Sequence, residues 1–303
     1  MYAVSPLRYP GAKWRLEKFV DSILIANNLR GGHYAEPFAG GASLAISLLL
    51  QNYVTNIHLN DLDRSIYAFW HSVLENTDDL LRLISETPVT MEIWHEQKAI
   101  QSKKQDISLI ELGFSTFFLN RTNRSGILNA GVIGGKHQSG QWKIDARYNK
   151  NNLISRISRI AQMRNNIHLY NLDAIDFLRL CDSKLPTNSF IYLDPPYFVK
   201  GQELYLNFYD KEDHHQLSEY VLGSLNRPWM VSYDDVPEIK ELYSKAYATE
   251  EPYLLPYSAS VERRGREVFF LSPNLSTETQ LIHTSTRTKR AMAVGTRPSS
   301  LQG

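Results

Sequence analysis

The sequence predicts an α/β protein: a Rossmann-like, mostly parallel sheet with crossover helices, interrupted by an inserted segment. Three observations carry that expectation. Short β-prone runs alternate with helical stretches, the alternation lapses between about Ser65 and Arg164, and basic charge is concentrated inside the lapse. The β-prone runs are His33-Tyr34-Ala35, Val54 to Leu59, Ile167 to Tyr170, Phe190 to Leu193, Trp229 to Ser232 and Glu267 to Leu271. Between them lie helical patterns such as Ala42 to Gln51, Ser65 to Glu75 and His214 to Leu225. Strands separated by helices pair in parallel through crossover connections. The predicted organisation is an α/β domain in two parts, 1–64 and 165–274, an inserted helical plus β-hairpin domain at 65–164, and a flexible tail at 275–303.

With 303 residues, 43% hydrophobic and 21% charged, the chain has ordinary globular composition, which excludes wholesale disorder, collagen-like repeats and coiled coil. No apolar run approaches the ~18 residues of a membrane span; the longest, Leu44 to Leu50, is broken by Ser47. The opening residues lack the charged-then-apolar profile of a secretory signal. A single cysteine, Cys181, forms neither an internal disulfide nor a thiolate metal site. A soluble, cytoplasmic protein without a metal is expected. His214-His215, at a polar helix start, lacks a partner at metal spacing.

Between Asn120 and Arg164 stand nine basic residues, Arg121, Arg124, Lys136, Lys143, Arg147, Lys150, Arg156, Arg159 and Arg164, against the single acid Asp145. The segment carries +8 in a chain of +1, so the remainder carries −7. Such sorting is the footprint of a phosphate-binding face, with a solvated basic face as the plainer alternative. Five glycines between Gly126 and Gly140 mark the same segment as a flexible hairpin or loop.

Three motifs bear chemistry. Glu36-Pro37-Phe38-Ala39-Gly40-Gly41 follows a strand and opens an apolar helix, where glycines admit close backbone approach to a ligand and the helix start offers unpaired amides. Asn60-Asp61-Leu62-Asp63 ends the next strand; Asp63 suits a helix cap, which leaves Asp61 for a ligand's hydroxyls. The sharpest is Asp194-Pro195-Pro196-Tyr197, directly after the apolar strand Ile191-Tyr192-Leu193. Proline fixes its own φ and holds the preceding residue extended. The Asp194 carboxylate and the Pro195 carbonyl become two rigid acceptors beside an aromatic ring. A planar heterocycle bearing an exocyclic NH₂ satisfies both acceptors, and its nitrogen lone pair is then turned out of ring conjugation. Tyr233-Asp234-Asp235 reads as a turn, with lining of the substrate pocket as the alternative, and Arg263-Arg264-Gly265-Arg266 as a second small basic patch, either on a DNA backbone or in a solvated loop.

Read together, Arg8-Tyr9-Pro10-Gly11-Ala12-Lys13, Glu36 to Gly41, Asn60-Asp61 and, after a long insertion, Asp194 to Tyr197 resemble the Dam-type (D12 class) DNA adenine-N6 methyltransferases over nearly all of Leu7 to Leu271. Phe117 to Gly126 is similar to the helix and hairpin start that those enzymes use against DNA. The resemblance implies S-adenosylmethionine at the carboxyl ends of the strands. Phe38 would pack on its adenosyl group, backbone around Gly40 and Gly41 would pass its methionine part, Asp61 would accept its ribose hydroxyls, and Glu36, Pro37 and Asp194 would belong to the same cofactor site. Lys13 would supply a cation near the cofactor carboxylate or the target nucleotide, with Tyr9 packed beside it. Asp173 would meet the adenine amine or cap the helix before Ile175. Asp194, Pro195, Pro196 and Tyr197 would grip an adenine extruded from duplex DNA. Asn120, Arg121, Asn123, Arg124, Lys136 and Lys143 would contact DNA, and a cognate restriction endonuclease is a further partner of such enzymes. Alternatives are a cytosine-N4 methyltransferase, which usually has serine where Asp194 stands, a glutamine or ribosomal-RNA methyltransferase, and a catalytically idle DNA-binding module.

Overall fold

The computed structural model describes residues 4–9, 13–198, 209–249 and 267–276. Pro10, Gly11 and Ala12, the basic patch from Arg263 to Arg266 and the tail from Thr277 lie outside them. Five strands, β1 (His33–Glu36), β2 (Asn56–Asn60), β3 (Ile167–Tyr170), β4 (Phe190–Leu193) and β5 (Trp229–Asp234), pair in parallel. Two more, β6 (Tyr247–Thr249) and β7 (Glu267–Leu271), pair antiparallel, and β7 also lies antiparallel to β5. The sheet order is β3-β2-β1-β4-β5-β7-β6, so the α/β class and the mostly parallel sheet are as expected. The direction of the chain's walk across the sheet reverses between β1 and β4, and open α/β sheets bind ligands in the crevice at that point. At three residues β6 is too short to display a period of two. Tyr233 and Asp234 belong to β5 and form no turn, because pairing with β7 carries the strand through to Asp234↔Glu267.

Alternation along each strand divides the core between the two faces. Tyr34, Tyr192, Met230 and Phe269 pack toward one hydrophobic cluster, and Ala35, Ile191, Val231 and Phe270 toward the other. The first cluster holds α1 (Glu17–Ala26), α2 (Ser43–Leu50) and the helices α3 (Arg64–Glu75), α4 (Thr77–Glu86), α5 (Met91–Ser102), α6 (Leu109–Thr122) and α7 (Lys150–Ala161). The second holds α8 (Ala174–Lys184), α9 (Lys211–Gly223) and α10 (Pro237–Leu242). The apolar core of the 65–164 segment is therefore continuous with one side of the sheet. Within it α6 is buried on every side from Leu112 to Asn120, packed by α3, α4 and α5, as a helix apolar around its circumference must be.

Between α6 and α7 the expected hairpin is reduced to one antiparallel bridge, Asn123 to Val132, followed by turns. Positive φ at Ser125, Gly126, Gly134, Gly135 and Gln138 interrupts extended backbone there, so no ladder propagates. Among the described residues no helix is long and apolar enough to cross a membrane. His214 is buried and its Nδ1 lies 2.9 Å from the Tyr233 hydroxyl; among the described residues no group of three potential ligands could hold a metal ion.

Candidate active site

Alternation places Glu36 at the end of β1, Asp194 just past the end of β4 and Ser232 near the end of β5 on the same sheet face. Because β7 is antiparallel, its first residue, Glu267, lies beside Asp234 at the end of β5 and joins them. The 3₁₀ turn Lys13–Leu16 brings the Lys13 ammonium into this group. Its Nζ lies 3.0 and 2.9 Å from the two oxygens of Glu267 and 3.1 Å from Asp194 Oδ1. Asp194 Oδ1 also accepts from Ser232 Oγ at 2.9 Å, and the Tyr192 hydroxyl lies 2.7 Å from that same Oγ. The Tyr197 hydroxyl donates to Glu267. The segment just past Tyr197 is tied to β5 by the Phe198 amide, which donates to Asp234 Oδ1 at 3.0 Å.

One buried cation thus serves two carboxylates, Glu267 buried and Asp194 partly exposed. Desolvation alone would lower the Lys13 ammonium's affinity for its proton, yet Asp194, the nearby tyrosines and Glu267 together raise it well above the ordinary lysine value. Desolvation raises Asp194 above the ordinary carboxylate value, Lys13 opposes that, and Glu267 adds to it. Glu36 is pushed up to about 8, first by burial and also by Asp194, against hydrogen bonds from the Tyr34 hydroxyl at 3.0 Å and the Ala45 amide at 3.2 Å.

A cleft extends from these groups along the carboxyl ends of β1 and β2, lined by Lys13, Glu36, Phe38, Asp61, Asp194 and Tyr209 among others. Asp61 Oδ2 accepts the Gly40 amide at 2.8 Å and Oδ1 the Asp63 amide at 2.9 Å. Burial pushes Asp61 up to about 7 despite both amides. Each of its oxygens keeps a further lone pair for a hydroxyl. Gly40 has φ +46°, and a Cβ there would sit 2.6 Å from the Tyr9 ring; the loop needs glycine at this point both for its backbone and for Tyr9. Trp70 fixes the loop from below, its Nε1 donating to the Gly40 carbonyl at 2.9 Å.

The structure brings together Tyr9, Lys13, Glu36, Pro37, Phe38, Gly41, Asp61, Asp194 and Pro196 around one cleft. Gly40 reaches it through Asp61. Asp173 instead accepts the Ile175 amide at 2.8 Å and caps α8, while its neighbour Ala174 lines the cleft. Tyr197 is buried on Glu267 with Lys13 Nζ 5.7 Å from its ring centre, and does not line the cleft.

The residues expected on DNA separate into two groups. Asn120 is buried and binds the Arg8 amide, the Arg8 carbonyl and the Gly126 carbonyl at 2.7 to 2.8 Å. Asn123 is buried and accepts Trp94 Nε1 at 2.7 Å while donating to the Ile127 and Leu128 carbonyls. Both amides are spent inside the protein, so they frame the basic segment and do not face DNA. Arg124, Lys136 and Lys143 are exposed. Arg121 is half-buried, its Nε donating to the Arg147 carbonyl at 2.8 Å. Burial, then the charges of Arg8, Arg156 and Arg147, lower it to about 9. These four guanidiniums share no ion pair with a carboxylate among the described residues. Arg8 opens the first motif but was given no role there, and Glu267 was not singled out as a site residue, since nothing in its local pattern distinguishes it from a solvated charge.

A profile for D12 class N6 adenine-specific DNA methyltransferases matches residues 9–254. The chain belongs to that family. It is a DNA methyltransferase acting on adenine. No individual curated protein matches the sequence at a significant level. Among solved structures it is similar to the rRNA methyltransferase aviRa from Streptomyces viridochromogenes, with a TM-score of 0.34 and 10% identity over 86% of this chain and 84% of that one.

Proposed function

We propose that this methyltransferase transfers a methyl group from S-adenosylmethionine to N6 of an adenine extruded from a specific site in duplex DNA. The observation that carries the reading is Asp194, held through Oδ1 by Lys13 and Ser232 with no hydrogen bond to Oδ2 among the described residues, at the switch point of the sheet and in one cleft with Phe38 and Asp61.

The cleft suits the cofactor chemically. Asp61 offers acceptors for ribose hydroxyls, Phe38 an apolar ring, and Glu36 a buried acid that a cation would ionise. Bound there, S-adenosylmethionine would supply an electrophilic methyl on a sulfonium. Asp194 Oδ2 and the Pro195 carbonyl would accept the two amine hydrogens of adenine and orient its lone pair for in-line attack. Alignment of two reactants is worth on the order of 7–11 kcal/mol in the best cases. No strong base is needed, since the methylated nitrogen is already acidic and sheds its proton without one. Extrusion costs a few kcal/mol, which the basic segment offsets by holding phosphates, with Arg8, Arg121, Arg147 and Arg156 grouped where their charges are otherwise uncompensated.

The test is incubation with labelled S-adenosylmethionine and duplex DNA, followed by nucleoside mass spectrometry. N6-methyladenine is expected, and Asp194→Ala is expected to lose transfer while still binding cofactor and DNA. N4-methylcytosine, or near-normal turnover by Asp194→Ala, would refute the proposal.

A further inference from the structure

Glu267 stands at the head of β7, its side chain 1% exposed, yet it has the densest polar contacts of any carboxylate in the cleft region. Both of its oxygens take the Lys13 ammonium, at 3.0 and 2.9 Å, and one also takes the Tyr197 hydroxyl. Asp194 meets the same ammonium through Oδ1 alone, at 3.1 Å, and is 22% exposed toward the cleft. The two carboxylates therefore divide one cation unequally. The buried one meets the ammonium with both oxygens, and the one facing substrate meets it with one and keeps the other clear of it.

Without Glu267, Lys13 would pair with Asp194 alone. Asp194 is then the ammonium's one ion-pair partner among the described residues, with only the neutral Ser232 and Tyr197 hydroxyls beside it at 3.4 and 3.5 Å, so its attraction falls on that carboxylate. The carboxylate would be drawn toward the ammonium and away from an incoming amine, and the Tyr197 hydroxyl would lose its bond to Glu267.

We infer that Glu267 is a positioning residue for methyl transfer: by holding Lys13 on both oxygens and Tyr197 on one, it anchors the buried cation and leaves Asp194 an oxygen for the substrate amine. The inference rests on the methyl-transfer reading above and adds to it a group some 70 residues downstream of the tetrad, outside every motif of the sequence. Glu267 acts through Lys13 and Tyr197 and touches neither reactant.

The experiment compares wild type, Glu267→Gln and Glu267→Asp in single-turnover methyl transfer at saturating cofactor across pH, together with the pH dependence of Lys13 acylation followed by peptide mass spectrometry. Outer-shell partners that orient metal ligands cost about 10- to 100-fold when removed, and by that analogy a loss of about 10-fold or more is expected in Glu267→Gln. The acid limb of its rate profile should also move to lower pH, because the charge that raises Asp194 is gone. Glu267→Asp, which keeps the charge, should recover part of the rate. A rate within threefold of wild type overturns the inference. So does a slow Glu267→Gln whose acid limb has not moved and which Glu267→Asp does not improve. The acylation arm stands apart from catalysis. Glu267 helps hold Lys13 protonated, so half-acylation should move to lower pH in Glu267→Gln. Unchanged labelling overturns the inference even if wild type methylates no DNA, an outcome that would itself dispose of the methyl-transfer reading instead.

Discussion

Lowering the pH from about 8 to about 6 is expected to weaken cofactor binding roughly tenfold, through Asp61 alone. Burial holds this carboxyl near 7 although two backbone amides point at it. Folding has raised it above its ordinary value, so its contribution to the stability of the unliganded fold is complete on the acid side and is lost as pH rises through about 7. Ribose hydroxyls donate hydrogen bonds and favour the ionised form, so bound cofactor reverses that preference. A site at pKa about 7 is about 90% ionised at pH 8 and about 10% at pH 6, a factor near ten in Kd, or ~1.4 kcal/mol. Isothermal titration in buffers of differing ionisation enthalpy measures both the affinity and the proton released, which should approach one near pH 6. Asp61→Asn is the control. Both oxygens of Asp61 accept backbone N–H groups, so an amide NH₂ must oppose one of them, at a cost of about 1–3 kcal/mol. Its weaker binding should have lost the tenfold pH dependence. A flat wild-type Kd between pH 6 and 8, or an Asp61→Asn variant that keeps the wild-type slope, would refute the reasoning.

Two further outcomes are expected. His33, His58 and His168 stack across β1, β2 and β3, with His33 Nδ1 3.0 Å from His58 Nε2; burial, then the neighbouring imidazoles, lower His58 to about 3. Folding depresses this pKa, so the unfolded chain takes up more protons and stability falls with pH below about 6.5, by roughly 1.5–2 kcal/mol at pH 5. Chemical denaturation of wild type and His58→Leu should show that extra acid loss in wild type only, and parallel pH dependences would contradict it. DNA affinity should fall linearly in log salt, with a slope of about −0.9 per phosphate contacted. Replacing the exposed Lys136 and Lys143 together by alanine should flatten the slope by roughly two, measured by fluorescence anisotropy between about 50 and 200 mM salt, and an unchanged slope would remove them from the interface.

The pattern of residues alone determined the alternation of strands and helices. Six of the seven strands were legible within two residues at each end, and only the three-residue β6 was not. Local sequence also determined Asp63 as a helix cap, which it is, accepting the Ser65 amide at 3.0 Å. The cleft was legible because its motifs sit where strands meet helices, and there the chemistry of a turn and of a ligand site call for the same glycines, prolines and acids.

Polar residues of the insertion were misread for a related reason. An asparagine in a basic, glycine-rich stretch looks like a surface contact. Whether its amide faces solvent depends on a segment more than a hundred residues away, as Asn120 shows by gripping Arg8.

What the sequence by itself settled was composition, periodicity and the motifs at strand ends, all of which are local in the chain. Only the tertiary structure decided where charges meet. The antiparallel course of β7 lays its first residue against the last of β5, and so carries Glu267 to Lys13 and Tyr197. Pairing direction is fixed by packing across the whole sheet, and no window of residues around Glu267 contains it.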